Sequence, residues 1–247
     1  MPATSPRTPR PVPVPTPELL AKALLVHDRL CAEYGCPIGY FHDLDPLSEL
    51  VSSLLSHRTK NADSHHAFQN LLTRFPSGWA DVRDAPVADV QEALAPCTWP
   101  EQKAPRLQEI LRRIGDERGE LSLNFLEALP VSEARAWMER LPGVGPKTSA
   151  AVLAFSRLRG RALPVDSHHH RVAARLGLIP ASVDVGPAHA LLEAQIPAEW
   201  TAQQVYDNHE VLMLHGQRCC FFNAPACARC PVRDVCPFGQ KHLASVA

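Results

Sequence analysis

The stretch LPGVGPKTSAAV, residues 141–152, decides how the rest of the chain is interpreted. Two glycines flank one valine, a proline follows, and Lys147 stands where a helix would begin. A P-loop is excluded, because Pro146 separates the second glycine from the lysine and no buried strand precedes the turn. A dinucleotide-binding fingerprint is excluded as well, because Thr148 occupies the place of its third glycine.

A helix–hairpin–helix is the interpretation that remains. One helix would end near Arg140, and the chain would turn through Gly143, Val144 and Gly145 into a helix that Pro146 begins. Glycine tolerates positive φ, and the free amides at a helix start attract an anion, so such a turn can hold one phosphate of a nucleic-acid backbone. A plain corner between two helices, with the lysine in solvent, is the alternative that this stretch alone leaves open.

Length and composition place the chain among ordinary globular proteins. It has 247 residues, of which 45% are hydrophobic and 21% are charged, and its net charge is −1. No apolar run approaches the roughly 18 residues of a membrane span, and the start has no apolar core like that of a signal peptide. We therefore expect a cytoplasmic protein, nucleoid-associated in a bacterial-type cell, with no membrane partner. Because the net charge is near zero, any surface for nucleic acid must be local.

Helical periodicity dominates the chain after a proline-rich start. The first 17 residues contain seven prolines and predict a disordered arm. Beyond it, apolar residues recur at helical spacing and no segment alternates with the period of a strand, so the predicted class is all-α with about ten helices. Gly35 should end the first helix, Asp45 and Pro46 should cap and begin the second, and Gly216 should end a late one.

A second segment, LPVDSHHHRVAARLG at residues 163–177, carries an aspartate nineteen residues after Lys147. Asp166 can cap the helix that begins near His168, and it can also face the lysine across a cleft. The surrounding charge is basic. Six basic residues stand between Lys147 and Arg175 inclusive, against one acidic residue, Asp166. This balance suits a groove for phosphates, although a solvated face would show it too.

Four of the eight cysteines lie close together near the end of the chain, as Cys220, Cys227, Cys230 and Cys236. Their spacing of six, two and five residues lets four thiolates surround one metal centre. A [4Fe–4S] cluster takes four thiolates. A zinc ribbon usually pairs two Cys-x-x-Cys knuckles and only one is present, but zinc stays open as a competitor.

The other cysteines are predicted to have structural roles. Disulfides are rare in the cytoplasm, so we expect Cys31, Cys36 and Cys97 to be small core residues. Cys219 lies beside a predicted ligand, but the spacing selects Cys220.

These segments together resemble the endonuclease III family of base-excision-repair glycosylases, in the helix–hairpin–helix superfamily. The matching pieces are LPGVGPKTSAAVL, VDSHHHRVAARLGL, LHGQRCC and the cysteine loop, and the resemblance runs from about Glu18 to Phe238. It implies two helical domains that flank a DNA-binding cleft. The six-helix domain with the hairpin would span 46–159, and the cluster domain would combine 18–45 with 160–238, followed by a tail at 239–247.

The resemblance also implies a function for the named residues. Lys147 falls on the family's nucleophilic lysine and Asp166 on its catalytic aspartate, so the chain would be a bifunctional DNA N-glycosylase and abasic-site lyase. Its substrate would be oxidised pyrimidines in duplex DNA. His168 would lie near the flipped nucleotide, and the hairpin with Thr148 would contact DNA. The four spaced cysteines would hold a [4Fe–4S] cluster, and a monomer is expected.

Two positions depart from the family pattern. Arg58, in LLSHRTKN, stands where many members insert a glutamine into the gap left by the flipped base, and Trp99, in PCTWPEQKA, falls near a second wedge that is usually aliphatic. A phosphate contact for Arg58 and a core position for Trp99 are the plainer interpretations. These departures leave open a glycosylase for mismatched or alkylated bases, and a DNA damage-binding protein with little catalysis.

Overall fold

A computed structural model describes residues 12–246 of the chain. Every regular element in that part is helical and no strand occurs there, so the all-α prediction is confirmed. The α-helices are α1 (Pro17–Tyr34), α2 (Pro46–Leu55), α3 (Asn61–Arg74), α4 (Trp79–Asp84), α5 (Val87–Ala93), α6 (Pro100–Arg118), α7 (Val131–Met138), α8 (Pro146–Phe155), α9 (Ser167–Leu176), α10 (Val185–Glu193), α11 (Ala202–Arg218) and α12 (Pro237–Val246).

Residues 1–11 of the predicted arm lie outside the described residues, whereas α1 already begins at Pro17. Most of the predicted tail is helical, because α12 continues from Pro237 to Val246. The twelve described helices exceed the predicted ten partly because α4 and α5 are only six and seven residues long.

The predicted caps of the first two helices are confirmed. Gly35 ends α1 in the left-handed conformation with φ of 84°, where glycine is favoured. The Asp45 carboxylate accepts hydrogen bonds from two amides at the start of α2, and Pro46 occupies the first turn. The prediction for Gly216 is wrong, because α11 continues through it to Arg218.

The prediction for Cys31 and Cys36 is also wrong, because the two residues form a disulfide. Gly35 turns the chain back over the last turn of α1, so the amides of Gly35 and Cys36 both donate to the Cys31 carbonyl. That turn brings the two side chains together. Cys97 is free and buried, in agreement with the prediction.

Two clusters of buried apolar side chains organise the helices. One draws its members from residues 47–162, with Leu50, Leu71 and Ile110 among them. The other combines α1 with residues 163–236, with Leu30 and Val211 among its members. We propose that these clusters are the cores of the two domains expected above. Burial of apolar surface against a shared core supplies most of the stability of such helices.

A small third cluster joins α8 to α11. Phe155 and Tyr206 meet there edge to face, with ring centroids 5.8 Å apart, and Ile38 and Tyr40 pack against them. Phe155 also lines the cleft described below. In the part of the chain that the structure describes, no helix combines the length and apolarity needed to cross a membrane.

Candidate active site and cluster loop

The glycine-rich turn joins α7 to α8. Gly143 has a left-handed φ of 79°, and a Cβ on it would lie 3.0 Å from Cδ of Arg106, so the turn requires glycine there. The Val144 amide donates to the Leu141 carbonyl at 3.1 Å. The amides of Gly143 and Gly145 have no partner among the described residues. They are the donors that the turn leaves for an anion.

The side chains of Val144 and Thr148 are engaged inside the protein. Val144 packs in the first apolar cluster. Thr148 is 2% exposed, and its Oγ1 lies 2.9 Å from Nε2 of His57. These side chains hold the start of α8 against the end of α2, so contact with DNA would fall to the backbone of the turn.

Lys147 lies in the first turn of α8 and lines a wide cleft between the two large apolar clusters. Burial lowers the pKa of its amine, and the nearby carboxylates of Asp166 and Glu49 act in the opposite direction. The balance favours the neutral amine more than water would. Only the neutral form of an amine has the lone pair that a nucleophile needs.

Glu49 on α2 is a buried acid that the sequence analysis missed. It is 2% exposed and accepts a hydrogen bond from Oγ of Ser53 at 3.0 Å. His42 Nε2 lies 3.1 Å from its other oxygen, which makes no hydrogen bond. Burial raises the pKa of Glu49 to about 8, against the lowering effects of Ser53 and of the positive charge on Lys147. In the sequence, the one indication of this buried acid was a single charged residue inside the mostly apolar segment PLSELVSSLL.

Asp166 takes both of the positions that the sequence allowed. Its Oδ1 accepts the His169 amide at 2.7 Å and so caps α9, and its side chain lines the same cleft as Lys147. His168 follows in the first turn of α9 and lines the cleft as well, with Nδ1 3.0 Å from a guanidinium nitrogen of Arg171. A carboxylate and an imidazole therefore share one cavity with the amine.

The loops that carry Arg58 and Trp99 are tied to each other at the mouth of the cleft. The Thr98 hydroxyl donates to the Arg58 carbonyl at 3.0 Å and lies 2.8 Å from the Thr59 hydroxyl. The Lys103 ammonium donates to the Thr59 hydroxyl and to two carbonyls at the end of α2. The Arg58 guanidinium lies 5.8 Å from the centroid of the Trp99 ring.

Trp99 is 47% exposed, so the plainer interpretation of it as a core residue is wrong. Arg58 is exposed too. The cleft therefore brings five predicted residues into one cavity, namely Arg58, Trp99, Lys147, Asp166 and His168.

Two further titratable residues of α11 reach the cleft and were missed from sequence. His209 is buried, and Nδ1 lies 2.8 Å from the Pro164 carbonyl. Because a carbonyl only accepts, Nδ1 carries the proton. Burial lowers the pKa of His209 to about 4, so the ring is neutral at physiological pH. Glu210 beside it is 6% exposed, and burial raises its pKa to about 7. The segment that contains them, NHEVLMLHG, has the sequence pattern of an ordinary helix.

The four predicted cluster cysteines line a second, smaller cavity between α9, α11 and the C-terminal segment. Nη1 of Arg175 donates to Sγ of Cys220 at 3.3 Å, and the Gly239 amide donates to Sγ of Cys236 at 3.3 Å. Cys227 is buried and Cys230 is half-buried. Donors aimed at sulfur suit a thiolate-bound cluster, which carries net negative charge. The residues present therefore fit the predicted group.

A different set of three potential metal ligands lies closer together than the four predicted cysteines. His215, Cys219 and Cys230 place one ligand atom each within 4.8 Å of one another, the one such group among the described residues. In a zinc site, each sulfur ligand lies about 2.3 Å from the ion, so the ligand atoms lie at roughly similar separations from one another. Cys219 is buried and lines the same cavity as Cys220. The choice between these two adjacent cysteines therefore stays a prediction for Cys220.

Comparison with known proteins agrees with this architecture of two helical clusters, a hairpin and a lysine-bearing cleft. A putative DNA glycosylase of Arabidopsis thaliana is 33% identical over 193 residues, which cover 78% of this chain and 64% of that protein. This chain thus spans less than two thirds of the plant relative's length. Endonuclease III of Thermotoga maritima is 27% identical over 199 residues, covering 81% and 86%. No protein-family model matches the chain.

Solved structures give the same picture of the fold. A trapped endonuclease III–DNA covalent intermediate superposes with a TM-score of 0.77 at 20% identity, covering 91% of this chain and 98% of that one. The chain therefore has the all-α fold of endonuclease III. In sequence it is similar to proteins named DNA glycosylase and endonuclease III.

Proposed function

We propose that the protein is a base-excision DNA glycosylase that also cleaves the abasic site. The observation that carries the proposal is the Lys147 amine, which lines a cleft with Asp166 and has a lowered pKa. The names of the relatives and the covalent endonuclease III–DNA complex of the same fold support it.

The chemistry follows from the two side chains. A damaged nucleotide would be flipped into the cleft, at a cost of a few kcal/mol that damage reduces. The neutral amine of Lys147 would attack C1′ of the sugar, and the base would leave with the electron pair of the broken bond. Asp166 would stabilise the positive charge that develops on the sugar. The nitrogen would then lose a proton, and cleavage of the C1′–O4′ bond would open the sugar and give an iminium. The iminium would lose a proton from C2′, and the 3′ phosphate would leave by β-elimination.

The groups around the cleft would hold the DNA. The unpaired amides of Gly143 and Gly145 suit one backbone phosphate at the positive end of α8. Arg58 and Trp99, exposed at the mouth, would fill the gap left by the flipped base. His168 would lie beside the flipped nucleotide. The expected partner is therefore duplex DNA with a damaged base or an abasic site, bound by a monomer.

We propose oxidised pyrimidines as the substrate. The arginine and tryptophan at the mouth also favour a second candidate, a glycosylase for mismatched or alkylated bases, because an arginine bonds differently from glutamine with the unpaired base. A panel of duplexes that each carry one lesion separates the two. Release of an oxidised pyrimidine such as 5-hydroxyuracil supports the first, and release only of mismatched or alkylated bases supports the second.

We propose that Cys220, Cys227, Cys230 and Cys236 hold a [4Fe–4S] cluster, which would brace the C-terminal segment against α9 and α11. Purified protein should then be brown with a broad visible band, and should contain about four irons and four sulfides per chain. Cys220→Ser should lose that band while Cys219→Ser keeps it. The opposite result, or colourless protein with bound zinc, would contradict the proposed ligand set.

The lyase is tested by borohydride trapping on a duplex with one abasic site. Reduction of the iminium should give a permanent protein–DNA crosslink, which Lys147→Ala should abolish and which the exposed-lysine control Lys60→Ala should keep. Trapping should become faster as pH rises, because the neutral fraction of the amine increases, and it should proceed well below pH 10.5. Tight binding without any crosslink in the wild type would favour the damage-binding protein instead.

A further inference from the structure

Glu210 is a carboxyl group inside the proposed active site to which the chemistry above gives no role. It lines the cleft together with Lys147, Asp166 and His168, and it is 6% exposed. Its carboxyl group makes no hydrogen bond with any described residue. A buried acid without a partner is costly, so such a group in a cavity indicates a ligand that completes it.

The neighbours of Glu210 give it no compensating positive charge. Nε2 of His209 lies 3.9 Å from one of its oxygens, beyond hydrogen-bond distance. Because the His209 proton is on Nδ1, facing the Pro164 carbonyl, Nε2 presents a lone pair to the acid. Among the described residues, His209 is the one basic group within ion-pair distance of Glu210, and its ring is neutral.

The other charged or titratable groups around Glu210 are Asp166 at the start of α9, and Tyr206 and Asp207 on α11. Both aspartates add negative charge and, after burial, raise the pKa of Glu210 to about 7. The Tyr206 phenol is itself buried, and burial raises its pKa, so it is neutral. The protonated acid is therefore well populated near neutral pH, and its O–H is a free donor in the cleft.

We propose that Glu210 is a further catalytic residue for base release, and that its protonated carboxyl group hydrogen-bonds to the flipped base and protonates it as it leaves. This inference rests on the proposed glycosylase function. In the step, the bond between C1′ and the base nitrogen breaks, and its electron pair goes to the base. The base takes the proton of Glu210, which becomes a carboxylate, while Lys147 forms its bond to C1′. The new secondary ammonium then returns a proton to Glu210 through solvent.

The two carboxyl groups of the cleft come from two different helices. Asp166 stands at the start of α9, whereas Glu210 projects from the adjacent helix α11. Two carboxyl groups in one cavity can thus divide the work: Glu210, with the raised pKa, supplies a proton, and Asp166 stabilises positive charge on the sugar. General acid catalysis of this kind is worth roughly 10²–10⁴-fold in rate.

Single-turnover base release tests the proposal with two oxidised pyrimidines that differ as leaving groups. The electron-withdrawing formyl group makes 5-formyluracil a better leaving group than 5-hydroxyuracil. Glu210→Gln should slow release of 5-hydroxyuracil by roughly 10²-fold or more and release of 5-formyluracil by less. The rate of the wild type should level off above about pH 7, where loss of the Glu210 proton offsets the growing neutral fraction of Lys147, and the rate of the variant should keep rising with pH. Crosslinking to a preformed abasic site, where no base leaves, should be unchanged.

The outcomes separate this inference from the function on which it rests. If the wild type crosslinks and releases bases, and Glu210→Gln does so at the same rates, Glu210 is not the acid. If the variant loses crosslinking to the same extent as base release, its role is structural and the inference fails. A wild type that releases neither base and forms no crosslink contradicts the proposed function itself.

Discussion

At the scale of single residues, Arg58 and Trp99 share a backbone conformation that large side chains rarely adopt. Both have φ of 52°, in the left-handed region. The hydrogen bonds of Thr59, Thr98 and Lys103 hold the two loops in place, so the conformation is maintained by its surroundings. Strain of this kind persists where it positions a side chain for use. It places a guanidinium and an indole side by side at the mouth of the cleft.

We expect Trp99→Ala to weaken binding to an abasic-site duplex by roughly 10- to 100-fold, because stacking on an exposed indole is worth about 1–3 kcal/mol. Affinity for an undamaged duplex should change much less, since no gap is filled there. Fluorescence anisotropy with both duplexes measures the difference. Leu72→Ala, which removes an exposed apolar side chain from α3 outside the cleft, should change neither affinity. Equal weakening on both duplexes would show that Trp99 is not a wedge.

At the scale of secondary-structure elements, the contact between α9 and α11 positions much of the site. Asp166 and His168 come from the first, and His209 and Glu210 come from the second. A Cβ on Gly216 would lie 2.8 Å from Cβ of His168, closer than real side chains approach. Glycine is therefore needed for close packing of the two helices, which explains why a glycine lies inside α11.

We expect Gly216→Ala to lower the free energy of unfolding by about 1–3 kcal/mol, because the added methyl group forces α9 and α11 apart. Gly186→Ala on α10 is the matched control, since a Cβ there meets nothing within 4 Å. That substitution should be neutral or stabilise by about 0.5–1 kcal/mol, as alanine favours a helix more than glycine does. Urea denaturation of the three proteins compares them. Equal stabilities would mean that the helices do not need the close approach.

At the scale of the whole molecule, buried titratable groups make stability depend on pH in two directions. Burial lowers the pKa of His57 and of His209 to about 4, so the folded state binds fewer protons than the unfolded one below the ordinary value of 6.5. The free energy of unfolding therefore decreases as pH falls from 6.5 to 4, because the unfolded state binds protons that the buried histidines of the folded state do not. Burial raises the pKa of Glu49 to about 8 and of Glu210 to about 7, so these acids cost stability as pH rises above 4.5.

We therefore expect the two effects to oppose each other between pH 4.5 and 6.5, and the free energy of unfolding to fall as pH rises above 6.5, where only the two acids act. Each group contributes a slope of up to about 1.4 kcal/mol per pH unit within its own window. Glu49→Gln should flatten the slope between pH 6 and 8 by about that amount, and Glu133→Gln, at an exposed position, should leave it unchanged. Urea titrations from pH 4 to 8.5 measure both. A stability that is flat between pH 6 and 8 in the wild type would contradict this account.

The sequence could predict much of this molecule because its main signals are local. Helix class follows from apolar spacing, and the caps at Gly35 and Asp45 follow from backbone preferences of single residues. The hairpin around Lys147 and the aspartate nineteen residues later were visible as motifs. The four spaced cysteines were visible in the same way. Each of these depends on a few neighbouring residues, which a sequence displays directly.

The packing of the helices sets which distant side chains face each other and how much water they lose, and the sequence does not display it. Glu49 and Glu210 look like ordinary helix residues in sequence, and their raised pKa values arise from burial by other helices. Thr148 follows the hairpin in sequence, yet its hydroxyl lies within hydrogen-bond distance of His57, ninety-one residues away. Local sequence patterns were enough to predict the helices and the hairpin with its lysine. Packing determined the cleft, because desolvation depends on every element around a group and not on its neighbours in the chain.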